Sequence, residues 1–337
     1  VRACIYFFPG AALSNRIATL HDPVRDWRDS CGFALLAHMD GEKSHWLVET
    51  TLESLARLTH RGAVAADGKS GDGCGIMLQF PEPFLRAVAE ECGFKLTERF
   101  ASGLVFFSPE EQRIQRGKKI LEQHLSRSAL QVVGWREVPT CPEVVGKQAL
   151  ASMPAIYQVF VNAPAGWRSH DIERQLFAAR RLAFEEERNL ENPDPLYYVV
   201  TLSNLTMVYK GLVQAEHLGD FYPDLRDERM TSSVGICHQR FSTNTLPRWN
   251  YAQPFRYLAH NGEINSVNAN RDWANARGGI LHSPLLPRLE ELSHLVNGDG
   301  SDSSSLDNLL EVFLAGGMDI FRAMRLLMPP AIREDMD

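Results

Sequence analysis

Four short clusters carry residues that can attack an amide and bind a free amino acid. They are Cys31-Gly32-Phe33, residues 238–245, His260-Asn261-Gly262-Glu263 and Ser301-Asp302-Ser303. Together they offer a thiol, an arginine with neighbouring hydroxyls, an Asn-Gly pair and a carboxylate. An enzyme that attacks the amide of a free amino acid needs these groups.

Cys31 is the candidate nucleophile. A cysteine thiol has a pKa of about 8.5, so its attack on an amide needs a base that removes the proton. No histidine is an obvious partner, but an α-amino group, with a pKa of roughly 7.7–8.0, can be that base if Cys31 begins the chain. This role requires cleavage after Ser30. The alternative is that Cys31 is a small apolar residue of a buried strand.

Arg240, Ser242 and Thr243 are the candidates for binding the carboxylate of a substrate. The two-pronged guanidinium of Arg240 can hold an α-carboxylate, and the hydroxyls of Ser242 and Thr243 supply further donors. A lone arginine is more often a solvated surface charge, so this role depends on the other clusters.

Asn261, Gly262 and Asp302 complete the candidate site. The Asn261 side-chain amide and the unshielded backbone N–H of Gly262 suit an oxyanion hole, although Asn-Gly is also an ordinary turn dipeptide. Asp302 can bind a substrate ammonium group, or it can help to start the helix that follows.

The glycine-rich run Gly71-Asp72-Gly73-Cys74-Gly75 invites comparison with a phosphate-binding loop. It lacks the Gly-Lys-Ser/Thr ending of such a loop and leads into a strand-like segment. We therefore interpret it as a structural turn, with Cys74 as a small core residue and not a second nucleophile.

Bulk composition excludes several classes of function. With 44% hydrophobic and 23% charged residues, the chain of 337 residues has the balance of a soluble globular protein. A formal charge of −7 argues against nucleic acid as a partner, and no stretch reaches the ~20 apolar residues of a membrane span. The cysteines form no Cys-x-x-Cys pair and the histidines have no metal-binding spacing, so we assign no metal and expect a reducing cytoplasm.

Apolar periodicity predicts the elements that position these clusters. A buried strand is predicted over residues 31–38, and an amphipathic helix over residues 45–58 behind the N-cap Ser44. Because strands and helices come in groups, not in strict alternation, an α+β layered sheet protein is favoured over a doubly wound parallel sheet. The other predicted helices cover 82–91, 110–126, 172–187 and 302–328, and the other strands cover 76–80, 103–107, 130–135, 155–162, 196–202, 207–209, 234–238 and 255–260.

In this order, the clusters resemble the class II glutamine amidotransferase domain of the glutamate synthase large subunit. The resemblance covers about residues 20–337, and its specific part is the block 238–265, since related amidotransferases share only an arginine and an Asn-Gly pair within it. The matching motifs are Cys31-Gly32-Phe33, His60-Arg61-Gly62-Ala63, Gly71-Asp72-Gly73-Cys74-Gly75, residues 238–245, Pro247-Arg248-Trp249, Ala252-Gln253-Pro254 and residues 260–265 and 301–308.

The resemblance implies a fold and a role for each candidate residue. The fold is a four-layer αββα sandwich of the N-terminal-nucleophile hydrolase type, with residues 1–30 as a pro-segment and residues 31–337 as an amidotransferase domain truncated at its C-terminal end. The implied roles are Cys31 as the N-terminal nucleophile, Arg240 as the ligand of the glutamine carboxylate, Asn261 and Gly262 as the oxyanion hole, and Asp302 as the ligand of the α-amino group.

In the whole enzyme of that family, ammonia released from L-glutamine passes through a channel to a downstream synthase domain. There 2-oxoglutarate becomes glutamate with FMN, an iron–sulfur cluster (3Fe-4S) and reducing equivalents, and a smaller electron-donating subunit is a further implied partner. No cofactor is implied for the segment itself. Two alternatives are another class II amidotransferase with a different ammonia acceptor, and a binding module that senses glutamine without hydrolysing it.

Overall fold

The computed structural model describes residues 31–190, 194–240, 246–262, 264–278, 280–286, 288–292 and 294–329. Two of the candidate substrate ligands, Ser242 and Thr243, and the predicted pro-segment 1–30 lie outside the described residues.

Eight strands in this part of the chain form two antiparallel sheets of four strands each. The strand order is β1-β8-β2-β7 in the first sheet and β4-β5-β3-β6 in the second. The strands are β1 (Gly32–Ala37), β2 (Cys74–Gln79), β3 (Phe100–Phe107), β4 (Gln131–Glu137), β5 (Ala155–Asn162), β6 (Tyr197–Val199), β7 (Thr206–Gly211) and β8 (Val234–Gln239).

Nine α-helices accompany the sheets within the described ranges. None of them is long and apolar enough to cross a membrane. They are α1 (His45–Ala56), α2 (Glu82–Glu91), α3 (Glu111–Arg127), α4 (Lys147–Leu150), α5 (Ser169–Arg188), α6 (Leu218–Phe221), α7 (Val267–Gly278), α8 (Asp302–Ala315) and α9 (Ile320–Leu327).

The layering follows from the alternation of side chains along β3, in which every residue is buried. Leu104 and Phe106 face a core shared with the first sheet and α1, whereas Val105 and Phe107 face a core shared with α3 and α5. Successive side chains of a strand point to opposite faces, so a strand that is buried on both faces lies between two layers. The order of the layers is therefore α1, the first sheet, the second sheet, and α3 with α5. This order confirms the predicted α+β class and the αββα sandwich.

Most of the elements predicted from periodicity are confirmed. α2 begins and ends as predicted, and α1 begins behind Ser44, whose side chain accepts a hydrogen bond from the Leu47 N–H. The predicted helical segment 302–328 is two helices, because Gly317 adopts a φ of +88° between them. α7 has no counterpart among the predictions, since only two of its residues are buried and it lacks an apolar stripe.

The strand predicted over residues 255–260 is wrong. The Phe255 N–H donates to the Leu258 C=O across a bend, and the His260 N–H donates to the side chain of Gln253. These backbone donors are therefore not available for a sheet ladder, and no strand forms.

β1 is less buried than predicted. Phe33 and Leu35 are 41% and 53% exposed, because β1 is an edge strand of the first sheet. The strand begins at Gly32, so Cys31 lies immediately before it.

Candidate active site

Cys31 lies at the end of the first sheet where β8 stops. β8 is flanked by β1 and β2, and its last residue, Gln239, pairs with Gly32 on one side and with Cys74 on the other. Because β1 and β8 are antiparallel, Cys31 and Arg240 both adjoin the Gly32–Gln239 pair, on the same side of it. Cys31 is partly exposed, so a substrate can reach it.

Arg240 is held in an uncommon backbone conformation. Its φ of +81° lies in the left-handed region that residues with a side chain rarely adopt, and its N–H donates to the Gly73 C=O at 2.7 Å. Its Nε lies 3.3 Å from Asp72 Oδ2, and its side chain is only 11% exposed. Arg240 is therefore not a solvated surface charge, and a strained, braced residue of this kind is typical of functional sites.

Asp72 is a site residue that the sequence analysis missed. Besides facing Arg240, its carboxylate accepts a hydrogen bond from Gln239 Nε2 at 3.3 Å. As predicted, the glycine-rich run leads into β2, and Cys74 is a core residue. Burial raises the pKa of the Cys74 thiol, which disfavours the thiolate that a second nucleophile would need. The signal in the sequence is a carboxylate between two glycines, but nothing local to it indicates which cation it meets.

Asn261 and Gly262 are exposed and follow a residue whose backbone is fixed. The His260 C=O accepts hydrogen bonds from His238 Nε2 at 3.0 Å and from Gln253 Nε2 at 3.3 Å. The His260 N–H donates to Gln253 Oε1 at 3.0 Å. Since His238 belongs to β8, the Asn-Gly pair is tethered to the strand that ends at the candidate arginine.

Burial sets the charge of the two histidines beside this pair. It lowers the pKa of His238 to about 4, an effect that neighbouring hydrogen-bonding groups, first the His260 backbone, partly offset. It also lowers the pKa of His260, which the negative charge of Asp302 partly restores. His238 is therefore a neutral hydrogen-bond donor at pH 7.

Asp302 is the first residue of α8, but Ser301 caps the helix. The Ser301 side chain accepts from the Ser304 N–H at 3.1 Å. Asp302 Oδ1 accepts from the Ser303 N–H at 2.7 Å, and its Oδ2 accepts from the Ile264 N–H at 3.0 Å. The partly exposed Asp302 also lines a cavity of about 440 Å³. It thus ties α8 to the segment that carries the Asn-Gly pair.

The register of β1 and β8 and two hydrogen bonds therefore connect the segments that carry the described candidate residues. Cys31 and Arg240 flank one strand pair, His238 on β8 holds the residue before Asn261, and Asp302 holds Ile264. Among the described residues, no three His, Cys, Asp or Glu side chains form a group that could hold a metal ion. The described residues thus offer no set of converging thiolates of the kind that holds an iron–sulfur cluster.

Comparison with known proteins gives one family. The model for class II glutamine amidotransferases matches residues 31–337. The chain is 37% identical over 326 residues to ferredoxin-dependent glutamate synthase 1 of Arabidopsis thaliana, covering 96% of the chain and 20% of that protein. It is 37% identical over 303 residues to the glutamate synthase [NADPH] large chain of Bacillus subtilis, covering 89% of the chain and 20% of that protein. The chain therefore spans about a fifth of the length of these relatives.

Proposed function

The chain belongs to the class II glutamine amidotransferases, and on that premise we propose that it hydrolyses L-glutamine to glutamate and ammonia with Cys31 as the nucleophile. The observation that carries the proposal is the register of β1 and β8, which places Cys31 and Arg240 next to the same residue pair, Gly32 and Gln239. The family match begins at Cys31, which supports a mature chain that starts there. Residues 1–30 are then a pro-segment, and residues 31–337 belong to the amidotransferase domain.

The α-amino group of the mature Cys31 is the proposed base. It takes the proton from Sγ as the thiolate forms a bond to the side-chain carbonyl carbon of glutamine, and the carbonyl oxygen becomes an oxyanion. Asn261 Nδ2 and the Gly262 N–H donate to that oxyanion. The amine then returns the proton to the leaving nitrogen, the C–N bond breaks and ammonia departs. Water then attacks the carbonyl carbon of the resulting thioester while the same amine takes a proton from it. The C–S bond breaks, glutamate is released, and the amine returns the proton to Cys31 Sγ.

Recognition of free glutamine needs two charged groups. Arg240 binds the α-carboxylate, with further donors from Ser242 and Thr243, and Asp302 binds the α-ammonium group. Glutamine within a peptide lacks both of these charges. The proposed site is therefore selective for the free amino acid.

The activity of the whole protein is a further proposal. The Arabidopsis and Bacillus relatives are glutamate synthases. We therefore propose that the ammonia passes to a downstream synthase domain that makes glutamate from 2-oxoglutarate with FMN and a 3Fe-4S cluster. A smaller electron-donating subunit is a proposed partner. The proposed compartment is a reducing cytoplasm, because the mechanism needs the Cys31 thiol and the described cysteines form no disulfide.

The maturation step is tested by intact-mass measurement and N-terminal sequencing of the purified protein, followed by assay of ammonia release from glutamine. We expect a chain that begins at Cys31 to be active and a chain that keeps residues 1–30 to be inactive. Full activity of a chain that keeps residues 1–30 would rule out the free-amine mechanism.

The nucleophile is tested by Cys31→Ser. This variant should lose both glutamine hydrolysis and labelling by a glutamine-mimicking electrophile, because both need the Cys31 thiolate. Cys92→Ser is the matched control, since Cys92 is exposed at the end of α2 and should not contribute to either reaction. Labelling that survives in Cys31→Ser would assign the nucleophile to another cysteine.

A further inference from the structure

Two buried side chains hold the residue that precedes the Asn-Gly pair, and we propose that Gln253 and His238 are positioning residues for the oxyanion hole. The inference rests on the proposed function, because it gives these residues a task in glutamine hydrolysis. Neither of them is a candidate ligand of the substrate.

Gln253 binds the backbone of His260 at two points. Its side chain accepts from the His260 N–H and donates to the His260 C=O, at 3.0 and 3.3 Å. This is the pattern that a neighbouring strand would supply, here made by one carboxamide. Gln253 is 2% exposed, so water does not compete for these bonds.

His238 supplies a second donor to the same carbonyl. Its Nε2–H points at the His260 oxygen, because a carbonyl oxygen can only accept. The His238 ring is fully buried on an inner strand of its sheet, so it has little freedom to move. The side chain of Asn261 also lies next to this ring.

A fixed His260 carbonyl also fixes the plane of the peptide bond that leads into Asn261. In a trans peptide the N–H of the next residue points away from the C=O, so the two hydrogen bonds to the His260 C=O set the direction of the Asn261 N–H and the point from which the Asn-Gly pair continues. On the far side of the Asn-Gly pair, Asp302 Oδ2 accepts from the Ile264 N–H. The pair is thus held on both sides, which limits the positions that Gly262 can take.

The glycine-rich run provides the surface on which Gln253 lies. A Cβ at Gly75 would come within 2.7 Å of the Gln253 C=O oxygen, and a Cβ at Gly73 would come within 3.2 Å of the Ala252 Cβ. Both glycines therefore allow a close approach that a side chain would prevent. This gives the run a role in positioning the site as well as in starting β2.

The inference is tested with Gln253→Met in the intact mature protein. Methionine fills about the same volume as glutamine in the buried site but makes neither hydrogen bond to His260. We expect kcat for glutamine hydrolysis to fall about 10- to 100-fold, with KM within about threefold of wild type. Alkylation of Cys31 by iodoacetamide, located by peptide mapping, should keep its rate, because that reaction forms no oxyanion.

Gln158→Met is the matched control for loss of a buried carboxamide. Gln158 lies on β5 in the second sheet, and its Nε2 donates to Ser102 Oγ at 3.2 Å. Gln158→Met should lose stability but keep kcat. His238→Gln, which keeps a donor in reach of the His260 carbonyl, should retain more activity than His238→Leu.

Two results for Gln253→Met would overturn the inference while leaving the proposed function intact. One is an unchanged kcat, and the other is an equal loss of hydrolysis and Cys31 alkylation, which would indicate general damage to the site. An inactive wild-type protein would instead refute the proposed function, and this inference with it.

Discussion

Replacing Arg240 with lysine tests the proposed carboxylate ligand. Lysine keeps the positive charge beside Asp72 but lacks the planar fork that holds a carboxylate through two parallel hydrogen bonds. Both residues carry a Cβ, so the φ of +81° is equally unfavourable for each and the backbone strain cancels in the comparison. The difference in kcat/KM between the wild-type protein and Arg240→Lys therefore measures the contribution of the guanidinium group.

The expected loss follows from one charge-assisted hydrogen bond. Such a bond contributes about 1.5–3 kcal/mol, and about 1.4 kcal/mol corresponds to a tenfold change in affinity. We therefore expect kcat/KM for glutamine to fall about 10- to 150-fold in Arg240→Lys. Most of the loss should come from KM, because the α-carboxylate is bound alike in the ground state and the transition state.

The assay compares two substrates, glutamine and its α-carboxamide analogue, which lacks the carboxylate. Arg240→Lys should lose activity toward glutamine but change little toward the analogue, since the analogue has no group for the fork to bind. Arg229→Lys is the control, because Arg229 forms exposed ion pairs with Asp227 and Glu91. An equal loss with both substrates would refute the assigned role of Arg240.

Three further predictions concern stability. Asp72→Asn should lower the free energy of unfolding by about 3 kcal/mol and raise KM, because it breaks a largely buried ion pair. Gly75→Ala should cost about 1–3 kcal/mol, because the new Cβ meets Lys210 Cβ and the C=O oxygens of Tyr209 and Gln253, and the contact with Gln253 should slow hydrolysis. Burial raises the pKa of Glu173 from 4.5 to about 7, so the folded protein keeps a proton that the unfolded chain loses between these values. Wild-type stability should thus fall by about 3 kcal/mol as pH rises from about 4.5 to 7, and Glu173→Gln should lack this slope.

Urea unfolding followed by circular dichroism measures all three stability changes. Gly166→Ala is the control for the glycine prediction, since a Cβ there meets no atom within 4 Å. An unchanged midpoint for Gly75→Ala would contradict the close approach, and unchanged stability of Asp72→Asn would contradict the ion pair. A Glu173→Gln protein with the wild-type pH slope would assign that slope to other groups.

Much of the fold could be predicted from the sequence because its signals are local. Helix α2 and strand β5 have the bounds that periodicity predicts, and Ser44 caps α1 as its position before an apolar stripe indicates. These signals depend on neighbours within a few residues. The types of the candidate residues, from Cys31 to Asp302, likewise predict amide hydrolysis, and their individual roles stay predictions.

The strand prediction failed where a side chain takes the backbone hydrogen bonds that a strand would use. The pattern of residues 255–260 suggests a strand, yet the Gln253 side chain bonds to both backbone groups of His260. A buried backbone group bonds to whichever partner the fold brings near, and such a partner leaves no periodic trace.

Residue types, periodicity and the order of the motifs predicted the candidate site residues, most of the elements and the family. The structure adds that Cys31 and Arg240 adjoin one strand pair, that Asp72 faces Arg240, and that Gln253 and His238 hold His260. Strand register and buried polar pairing depend on how the chain packs in three dimensions, whereas periodicity and capping are set by neighbours within one segment.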